Sequence, residues 1–314
     1  MSLIRSLTLR QLQIFVIAAR HMSFARAAEE LHLTQPAVSM QIKQLESVVG
    51  LPLFERGTRK LMLTETGDRF LHHASRILSE VKDAEDGLQA LKGMDQGSIC
   101  IGLISTAKYF APKLLAQYAA LYPGVDVRIV EGNRENLLRL LQDYSIDLAL
   151  MGRPPRELDT VSEPIAPHPY VIVASAHHPL RDARRFDFQE LRHETFLLRE
   201  PGSGTRTVSE HMFKNHLFTP AKTVTFGSNE TIKQAVMAGM GISLLSLHTL
   251  SLELRVGEIA LLDVTGTPID RVWHIAHMAS KVLSPASNGC RMFLMEHTAP
   301  FLKQEYSWLT QSPG

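Results

Sequence analysis

The chain has 314 residues, a length that corresponds to about two domains of ordinary size. Its hydrophobic fraction of 45%, charged fraction of 21% and net charge of +1 are typical of a globular protein and identify no partner by charge alone. The apolar runs are too short for a membrane span, and two cysteines exclude a disulfide scaffold or a cysteine-rich zinc module. The apolar run at 14–19 is not followed by a signal-peptide cleavage site, so we expect a cytoplasmic chain.

The charges are unevenly distributed along the chain. Residues 1–76 hold ten basic and six acidic residues, whereas the remainder holds 23 basic and 26 acidic residues. A small basic head on a slightly acidic body favours nucleic-acid binding by the head.

Three helices are predicted at the start of the chain, over residues 8–20, 24–31 and 35–49. Ser23 and Thr34 are expected to be N-cap residues, Pro36 fits the first turn of the third helix, and Gly50 ends it. Two short extended segments then flank a basic turn. This order of elements predicts a winged helix-turn-helix.

The third helix has an apolar face and a polar face. Val38, Ile42 and Leu45 are expected to point inward, so the polar side chains remain for the major groove. Gln and Ser side chains can read base edges, and Arg and Lys side chains neutralise phosphates. The alternative is a small helical domain with a solvated polar face. With two arginines at the tip of the wing included, the candidate DNA-binding residues are Ser23, Thr34, Gln35, Pro36, Ser39, Lys43, Arg56 and Arg59.

A long helix is predicted over residues 66–92, with Thr66 as its cap. Its apolar residues alternate in steps of four and three, which is a heptad pattern typical of helix pairing. The alternative is a helix that packs on the core of its own chain. The candidate dimerisation residues are Phe70, Ala74, Ile77, Val81 and Leu88.

From residue 98 onward, predicted strands alternate with predicted helices. The order strand–helix–strand–helix–strand over 99–151 predicts a mainly parallel sheet. A second series of strands and helices covers 170–262, and a strand at 271–278 and a helix at 285–303 complete the chain. The C-terminal part is therefore predicted to be an α/β domain.

Four segments of the head carry a resemblance to the LysR-type transcriptional regulators: SFARAAEEL at 23–31, TQPAVSMQIKQLE at 34–46, GLPLFER at 50–56 and LTETG at 63–67. Many members of that family have Arg or Lys where Met40 stands here, so the operator sequence is not carried over. Four later segments resemble the CbbR group of that family: STAKYFAP at 105–112, EGN at 131–133, MGRPP at 151–155 and REPGSGTR at 199–206.

The resemblance implies an activator of CO2-fixation (Calvin-cycle) operons, with no catalytic role and no cofactor. It implies an all-α winged helix-turn-helix with a long linker helix, followed by a two-lobed α/β effector domain like the periplasmic binding proteins. We expect the DNA-binding domain at 1–65, the linker helix at 66–92 and the effector domain at 93–314. Lobe I would comprise about 97–166 and 268–314, and lobe II about 167–267. The implied partners are promoter DNA, a small anionic effector, a second copy of the chain in a dimer or tetramer, and RNA polymerase.

Ligands of two-lobed α/β domains are expected between the lobes, at the ends of strands and the starts of helices. A glycine-rich start of a helix at 202–205 exposes backbone N–H groups to an anion, and arginines nearby add charge. The expected ligand is a small anionic metabolite, and phosphorylated metabolites are among the candidates. The candidate effector-binding residues are Ser105, Thr106, Lys108, Asn133, Arg153, Gly202, Ser203, Thr205, Arg206 and Asn229.

Other functions find little support. The sequence holds no nucleophile elbow, no Walker lysine loop and no His-Glu-x-x-His motif, and its adjacent histidines point in different directions, so neither catalysis nor a metal site is expected. Two alternatives stay open. One is a LysR-type regulator of aromatic or amino-acid metabolism with a carboxylate effector. The other is a solute-binding protein or enzyme with an accessory helical head.

Overall fold

The structure, a computed structural model, describes residues 6–55, 61–91 and 96–310. Within the described residues of the head, the three helices α1 (Leu9–His21), α2 (Phe24–Leu31) and α3 (Gln35–Val49) pack around one core, and a long helix, α4 (Glu65–Leu91), leads away from it. Phe15, Val38 and Leu45 are fully buried at the centre of the head. The three predicted helices of the head are therefore present, with bounds within about a residue of those expected.

The start of α4 differs from the prediction. The helix begins at Glu65, and the Thr64 hydroxyl, not that of Thr66, accepts a hydrogen bond from Gly67 N at 2.9 Å. The same hydroxyl donates to Pro52 O at 2.7 Å, so it connects the helix to the segment before the wing. Prediction placed the cap two residues late because Thr66 also follows a polar residue and precedes an apolar stripe.

The effector domain follows α4 as an alternation of strands and helices. Its elements are β1 Gly97–Ile104, α5 Ala111–Leu121, β2 Val125–Gly132, α6 Arg134–Gln142, β3 Leu148–Met151, β4 Thr160–Pro167, β5 Tyr170–Ser175, β6 Thr195–Arg199, α7 Gly204–Asn215, β7 Lys222–Phe226, α8 Asn229–Met237, β8 Ser243–Ser246, α9 Ser251–Arg255, β9 Ile259–Leu262, β10 Val272–Met278 and α10 Pro285–Glu305.

Lobe I is built on a mixed sheet with the strand order β2-β1-β3-β10-β4. β1 is parallel to β2 and β3, whereas β10 is antiparallel to β3 and β4. The prediction of a mainly parallel sheet from the elements over 99–151 is thus correct for β1, β2 and β3, and of the two added strands only β10 runs in the opposite direction. Periodicity did not indicate β4, because Pro164 and Pro167 interrupt it; as the edge strand it tolerates them.

Lobe II contains two smaller strand groups. β8, β5 and β9 form an antiparallel group, and β6 and β7 form a parallel pair. A parallel bridge between Phe196 and Ile242 joins the two groups. The chain passes from β4 to β5 through His168, and it returns through Ile269, whose backbone pairs with Tyr170. These adjacent crossings place a cleft between the lobes.

No helix within residues 6–55, 61–91 and 96–310 is both long and apolar enough to cross a membrane. In the same ranges, no group of three or more His, Cys, Asp or Glu residues is arranged to hold a metal ion. Cys100 and Cys290 are buried, and burial raises the pKa of both thiols.

Candidate functional site

The third helix of the head presents one side to solvent. Gln35, Pro36 and Lys43 are exposed on it, whereas Ser39 is half-buried. Met40, which the prediction treated only as a departure from the family pattern, is 53% exposed on the same side. Thr34 accepts from Ala37 N and Ser23 accepts from Arg26 N, so the hydroxyls of both residues already cap their helices.

The wing is held to this helix by one carboxylate. Glu46 Oε1, on α3, accepts hydrogen bonds from Leu53 N at 2.8 Å and from Phe54 N at 3.2 Å. Phe54 then forms an antiparallel bridge with Leu63. No local sequence signal indicates the role of Glu46, because its partners follow after a turn. Arg56 and Arg59, predicted at the tip of the wing, lie outside the described residues.

The predicted dimerisation stripe on α4 divides into two parts. Phe70 and Ala74 pack in the core of the head, where Ala74 is fully buried and the Phe70 ring lies 5.4 Å from that of Phe15. The prediction for these two residues is therefore corrected, because their apolar surface is used within the chain. Ile77, Val81 and Leu88 are 43%, 43% and 61% exposed.

Beyond the head, α4 is fastened to lobe I by a buried lysine. Lys281 Nζ lies 2.5 Å from Ser79 Oγ and 2.8 Å from Asp83 Oδ2, both on α4, and 3.1 Å from Asp147 Oδ1 of lobe I. Despite the cost of burial, the two carboxylates raise the pKa of Lys281. The lysine therefore stays charged and connects the linker helix to the effector domain.

In the cleft between the lobes, Arg199 is the centre of a polar cluster that also includes Ser105, Thr106, Ser203, Thr205 and Asn229. We call this cluster the inner face. Arg199 Nη1 donates to Ser105 Oγ of lobe I at 3.3 Å and to Asn229 Oδ1 of lobe II at 2.6 Å. Its remaining donors form a two-point ion pair with Glu200. The guanidinium is 97% buried, so this contact holds the two lobes together in a water-poor environment.

Other predicted residues of the inner face are buried, and some of their polar atoms lack partners. Thr106 Oγ1 and Asn229 Nδ2 have no hydrogen-bond partner within the described residues. Ser203 and Thr205 are each 4% exposed. Thr205 is hydrogen-bonded to the Tyr170 hydroxyl, whose pKa is raised to about 12 by burial. A buried polar atom without a partner is costly, so such atoms are typical of a site that receives a ligand.

The lobes approach each other closely at the glycine-rich turn. Gly202 has a φ of +84°, and a Cβ atom there would lie 3.0 Å from Glu135 Oε2 of lobe I. Asn133 is close by, but its side chain already caps α6 by accepting from Asn136 N at 2.9 Å. Lys108 is paired with Glu131 at 3.2 Å. These two predicted residues thus have partners within the protein.

Arg206 is directed away from the cleft, contrary to the prediction. Its guanidinium binds Glu210 at 2.7 Å, Arg199 O at 3.0 Å and Thr225 Oγ1 at 3.3 Å, all within lobe II. The residue lies on the first turn of α7, and a helical turn of about 100° per residue separates its direction from that of Gly204.

A cavity of about 250 Å³ lies beside the inner face, and we call it the arginine pocket. Of the predicted effector-binding residues, only Arg153 lines it. The other charged or titratable residues in its wall are Arg134, Arg156, Tyr170, His211 and Arg271. Prediction missed these because Arg134 and Arg271 stand 137 positions apart in the chain and only the crossing between the lobes brings them together. The sequence signal that could have indicated this pocket is the pair of arginines at 153 and 156, which follow a strand.

The head and the two-lobed domain together define a DNA-binding transcriptional regulator with a ligand-binding domain. The family model "Bacterial regulatory helix-turn-helix protein, lysR family" matches residues 9–68, and the model "LysR substrate binding domain" matches residues 92–299. The chain belongs to the LysR family of transcriptional regulators, as its signature segments predicted.

Relatives within the family agree with the predicted subgroup. The chain is 77% identical to the HTH-type transcriptional regulator CfxR of Cupriavidus necator, over 98% of this chain and 97% of that protein. It is 51% identical to the HTH-type transcriptional regulator CbbR of Rhodospirillum rubrum, over 91% of this chain and 95% of that one. The resemblance to the CbbR group is confirmed by these matches.

A solved structure is similar to the effector domain. It is the regulatory domain of CcmR from Synechocystis PCC6803 in complex with 2-PG. That domain is 37% identical to this chain with a TM-score of 0.60, and the match covers 64% of this chain and 96% of the domain. The two-lobed α/β fold of the effector domain is thereby confirmed.

Proposed function

We propose that this regulator controls CO2-fixation genes in response to a small anionic metabolite that binds between the lobes of the effector domain. The observation that carries the ligand part is the inner face, where Thr106 Oγ1 and Asn229 Nδ2 are buried without partners. The similarity to CfxR and CbbR supports the assignment of the target genes. A regulator of this kind would act on promoter DNA and recruit RNA polymerase there.

Binding between the lobes offers a direct route to regulation. A ligand that contacts both lobes favours one arrangement of them over the other, with a coupling of about 1–3 kcal/mol. Lobe I is fastened to α4 through Lys281, and α4 leads to the head. A changed lobe arrangement can therefore alter the spacing of two heads on DNA and the bend between them, while the base contacts stay the same.

The effector response is tested by footprinting on a CO2-fixation promoter with and without 2-PG or phosphoenolpyruvate. Thr106→Ala and Ser203→Ala are expected to abolish the ligand-dependent change in the footprint while affinity for the operator stays near that of the parent. If both variants respond as the parent does, the inner face is not the regulatory site.

For the head, we propose that Gln35, Ser39 and Lys43 face the major groove and that Arg56 and Arg59 bind the DNA backbone. Gel shifts over a range of salt concentrations separate these roles. Ser39→Ala should change base preference, whereas Arg56→Ala should weaken binding to all sequences and lower the salt slope. An unchanged slope in Arg56→Ala would remove the wing from the interface.

We also propose that two copies pair through the exposed part of α4, since Ile77, Val81 and Leu88 would otherwise leave an apolar stripe in water. The double variant Ile77→Glu with Val81→Glu should be monomeric by light scattering. It should also lose tight DNA binding, because two half-sites need two heads. If the double variant stays fully dimeric, this stripe is not the main interface.

A further inference from the structure

A second set of contacts joins the two lobes, and it involves neither the arginine pocket nor the inner face. It comes from the end of the chain, where α10 of lobe I ends at Glu305 and residues 305–308 lie against lobe II. We call residues 305–308 the strap. No residue of the strap lines the arginine pocket, and the function proposed above makes no use of it.

The buried part of the strap is Tyr306. Its hydroxyl donates a hydrogen bond to His248 O of lobe II at 2.7 Å, and the two rings lie 4.9 Å apart. Tyr306 is 9% exposed and His248 is 5% exposed, so little water competes for this bond. Burial raises the pKa of Tyr306, so the hydroxyl stays protonated and remains a donor.

The outer part of the strap is held by Arg255, the last residue of α9 in lobe II. Arg255 Nη2 donates to Glu305 O at 3.1 Å, and its guanidinium lies 5.3 Å from the centre of the Trp308 ring. A cation is stabilised at this position because the carbonyl groups at the end of a helix carry partial negative charge and an aromatic face attracts cations. The Glu305 carboxylate is paired with Lys113 of α5 at 2.8 Å, so the strap is also fixed to lobe I.

His248 connects the strap to the hinge between the lobes. While its backbone oxygen accepts from Tyr306, its Nδ1 accepts from Trp273 Nε1, on β10 of lobe I, at 2.9 Å. Trp273 in turn stacks on His168 in the crossing from β4 to β5, with the ring centres 3.6 Å apart. The segment of lobe II around His248 is therefore held by lobe I at two points beside the crossing.

The lobes are joined less tightly at the inner face. The distance from Arg199 Nη1 to Ser105 Oγ is 3.3 Å, which is beyond the usual range of about 2.7–3.2 Å for such a bond. Thr106 Oγ1 and Asn229 Nδ2 have no partner there within the described residues. The bonds at the strap and the hinge, by contrast, are 2.7 Å and 2.9 Å long. Two bodies joined firmly at one edge and loosely at another separate by rotation about the firm edge.

We propose that the strap fixes the edge about which the lobes rotate and limits how far they separate. The strap thereby sets how much of the free protein is in the closed arrangement before any effector binds. This inference goes beyond the proposed function, because it concerns the protein without a ligand and applies whatever the effector is. A ligand that binds the closed arrangement has an apparent affinity that scales with the share of that arrangement, so a weaker strap should make the regulator less sensitive.

The test compares two matched pairs of substitutions in the full chain. Tyr306→Phe removes the hydroxyl and keeps the ring, and Arg255→Met removes the cation at the outer part of the strap. Together they form the strap variant. The matched control combines Tyr122→Phe, at an exposed tyrosine of lobe I, with Arg184→Met, at an exposed arginine of lobe II.

Hydrogen exchange of the backbone amides, followed by mass spectrometry without any ligand, measures how often each segment opens. In the strap variant, the segments at 104–110 and 199–206, which meet at the inner face, should exchange about threefold to tenfold faster than in the control. A lost hydrogen bond shifts an opening equilibrium by about that factor. Exchange at 99–103, in the core of lobe I, should stay near the parent rate. Tyr306→Phe alone keeps the aromatic packing, and it should show a smaller acceleration in the same segments.

Unchanged exchange at 104–110 and 199–206 in the strap variant would overturn the proposal. An equal acceleration at 99–103 would overturn it as well, because the strap would then only stabilise the fold as a whole. Calorimetric titration with 2-PG adds a second measurement, in which the strap variant should bind about threefold to tenfold more weakly than the control. Equal affinity of the two would contradict the proposal. If the parent does not bind 2-PG, then 2-PG is not the effector, and the exchange rates alone decide on the strap.

Discussion

The head and the interlobe cleft differ in whether their buried polar groups have hydrogen-bond partners. In residues 6–55 and 61–64 of the head, every buried side-chain polar atom has a hydrogen-bond partner, and Ser75 Oγ on the adjoining α4 is an exception beside them. Around the cleft, buried atoms of Thr106, Arg134, His168, Asn229 and Arg271 have none within the described residues. Full pairing stabilises one conformation, whereas a new hydrogen-bond partner stabilises a group that was unpaired. We therefore expect the head to keep one conformation and the cleft to change its conformation when a new partner binds.

At the junction between the head and lobe I, the buried polar groups around Lys281 are paired, as they are in the head. Breaking this pairing gives the largest predicted effect on stability. Lys281→Met leaves Asp83 without its cation and leaves Asp147 with only the more distant Lys82 at 3.8 Å, which should lower the free energy of unfolding by about 3 kcal/mol. Urea unfolding followed by circular dichroism measures this loss. A loss below about 1 kcal/mol would mean that the junction rearranges as freely as the cleft.

The contact between the wing and α4 is the next test. A Cβ atom at Gly67 would lie 2.0 Å from Leu53 O, so Gly67→Ala should cost about 3 kcal/mol and weaken DNA binding. Gly87→Ala is a matched control on the same helix, since nothing lies within 4 Å of a Cβ there. It should be neutral or stabilise the helix by about 0.5–1 kcal/mol. Equal stability of the two variants would show that the head can yield at this contact.

The two regions also differ in how far the sequence predicted them. The head was predictable because its signals are local: Ser23 and Thr34 cap the helices that they precede, and Gly50 ends the third one in a left-handed conformation. The arginine pocket was not, because Arg134, Arg271 and His211 come from separate segments and meet only after the lobes fold. The prediction for Arg206 was wrong partly for the same reason, since Thr225 lies on β7, although Glu210 lies one turn further along the same helix.

A matched pair of substitutions compares the two regions directly. Thr64→Val removes a hydroxyl that makes two hydrogen bonds at the base of the wing, and it should cost about 1–2 kcal/mol. Thr106→Val removes a buried hydroxyl without a partner and keeps the shape of the side chain. It should be neutral or stabilising by up to about 1 kcal/mol. If both variants lose the same stability, the contrast between the head and the cleft does not hold.

The smallest expected effect is a loss of stability at acid pH, because neutral histidines are buried beside the cleft. His248 Nδ1 accepts a hydrogen bond from Trp273 Nε1 at 2.9 Å, and burial lowers its pKa from 6.5 to about 4. Burial first, then the charges of His248 and Arg271, also lower the pKa of His168, which stacks on Trp273. Between pH 6.5 and 4 the unfolded chain therefore binds protons that the folded chain does not. The stability contributed by these groups is complete above pH 6.5 and is lost as the pH falls.

For His248 alone, the fall from pH 6.5 to 5.5 should lower the free energy of unfolding by about 1 kcal/mol, since the limiting slope is about 1.4 kcal/mol per pH unit. Tryptophan fluorescence during urea unfolding follows the effector domain, because the two tryptophans of the chain are Trp273 and Trp308. His248→Gln keeps an acceptor for Trp273 but cannot titrate, so its stability should decline less steeply over this range. If stability declines with pH at the same slope in the parent and the variant, other groups cause the acid sensitivity and His248 does not contribute to it.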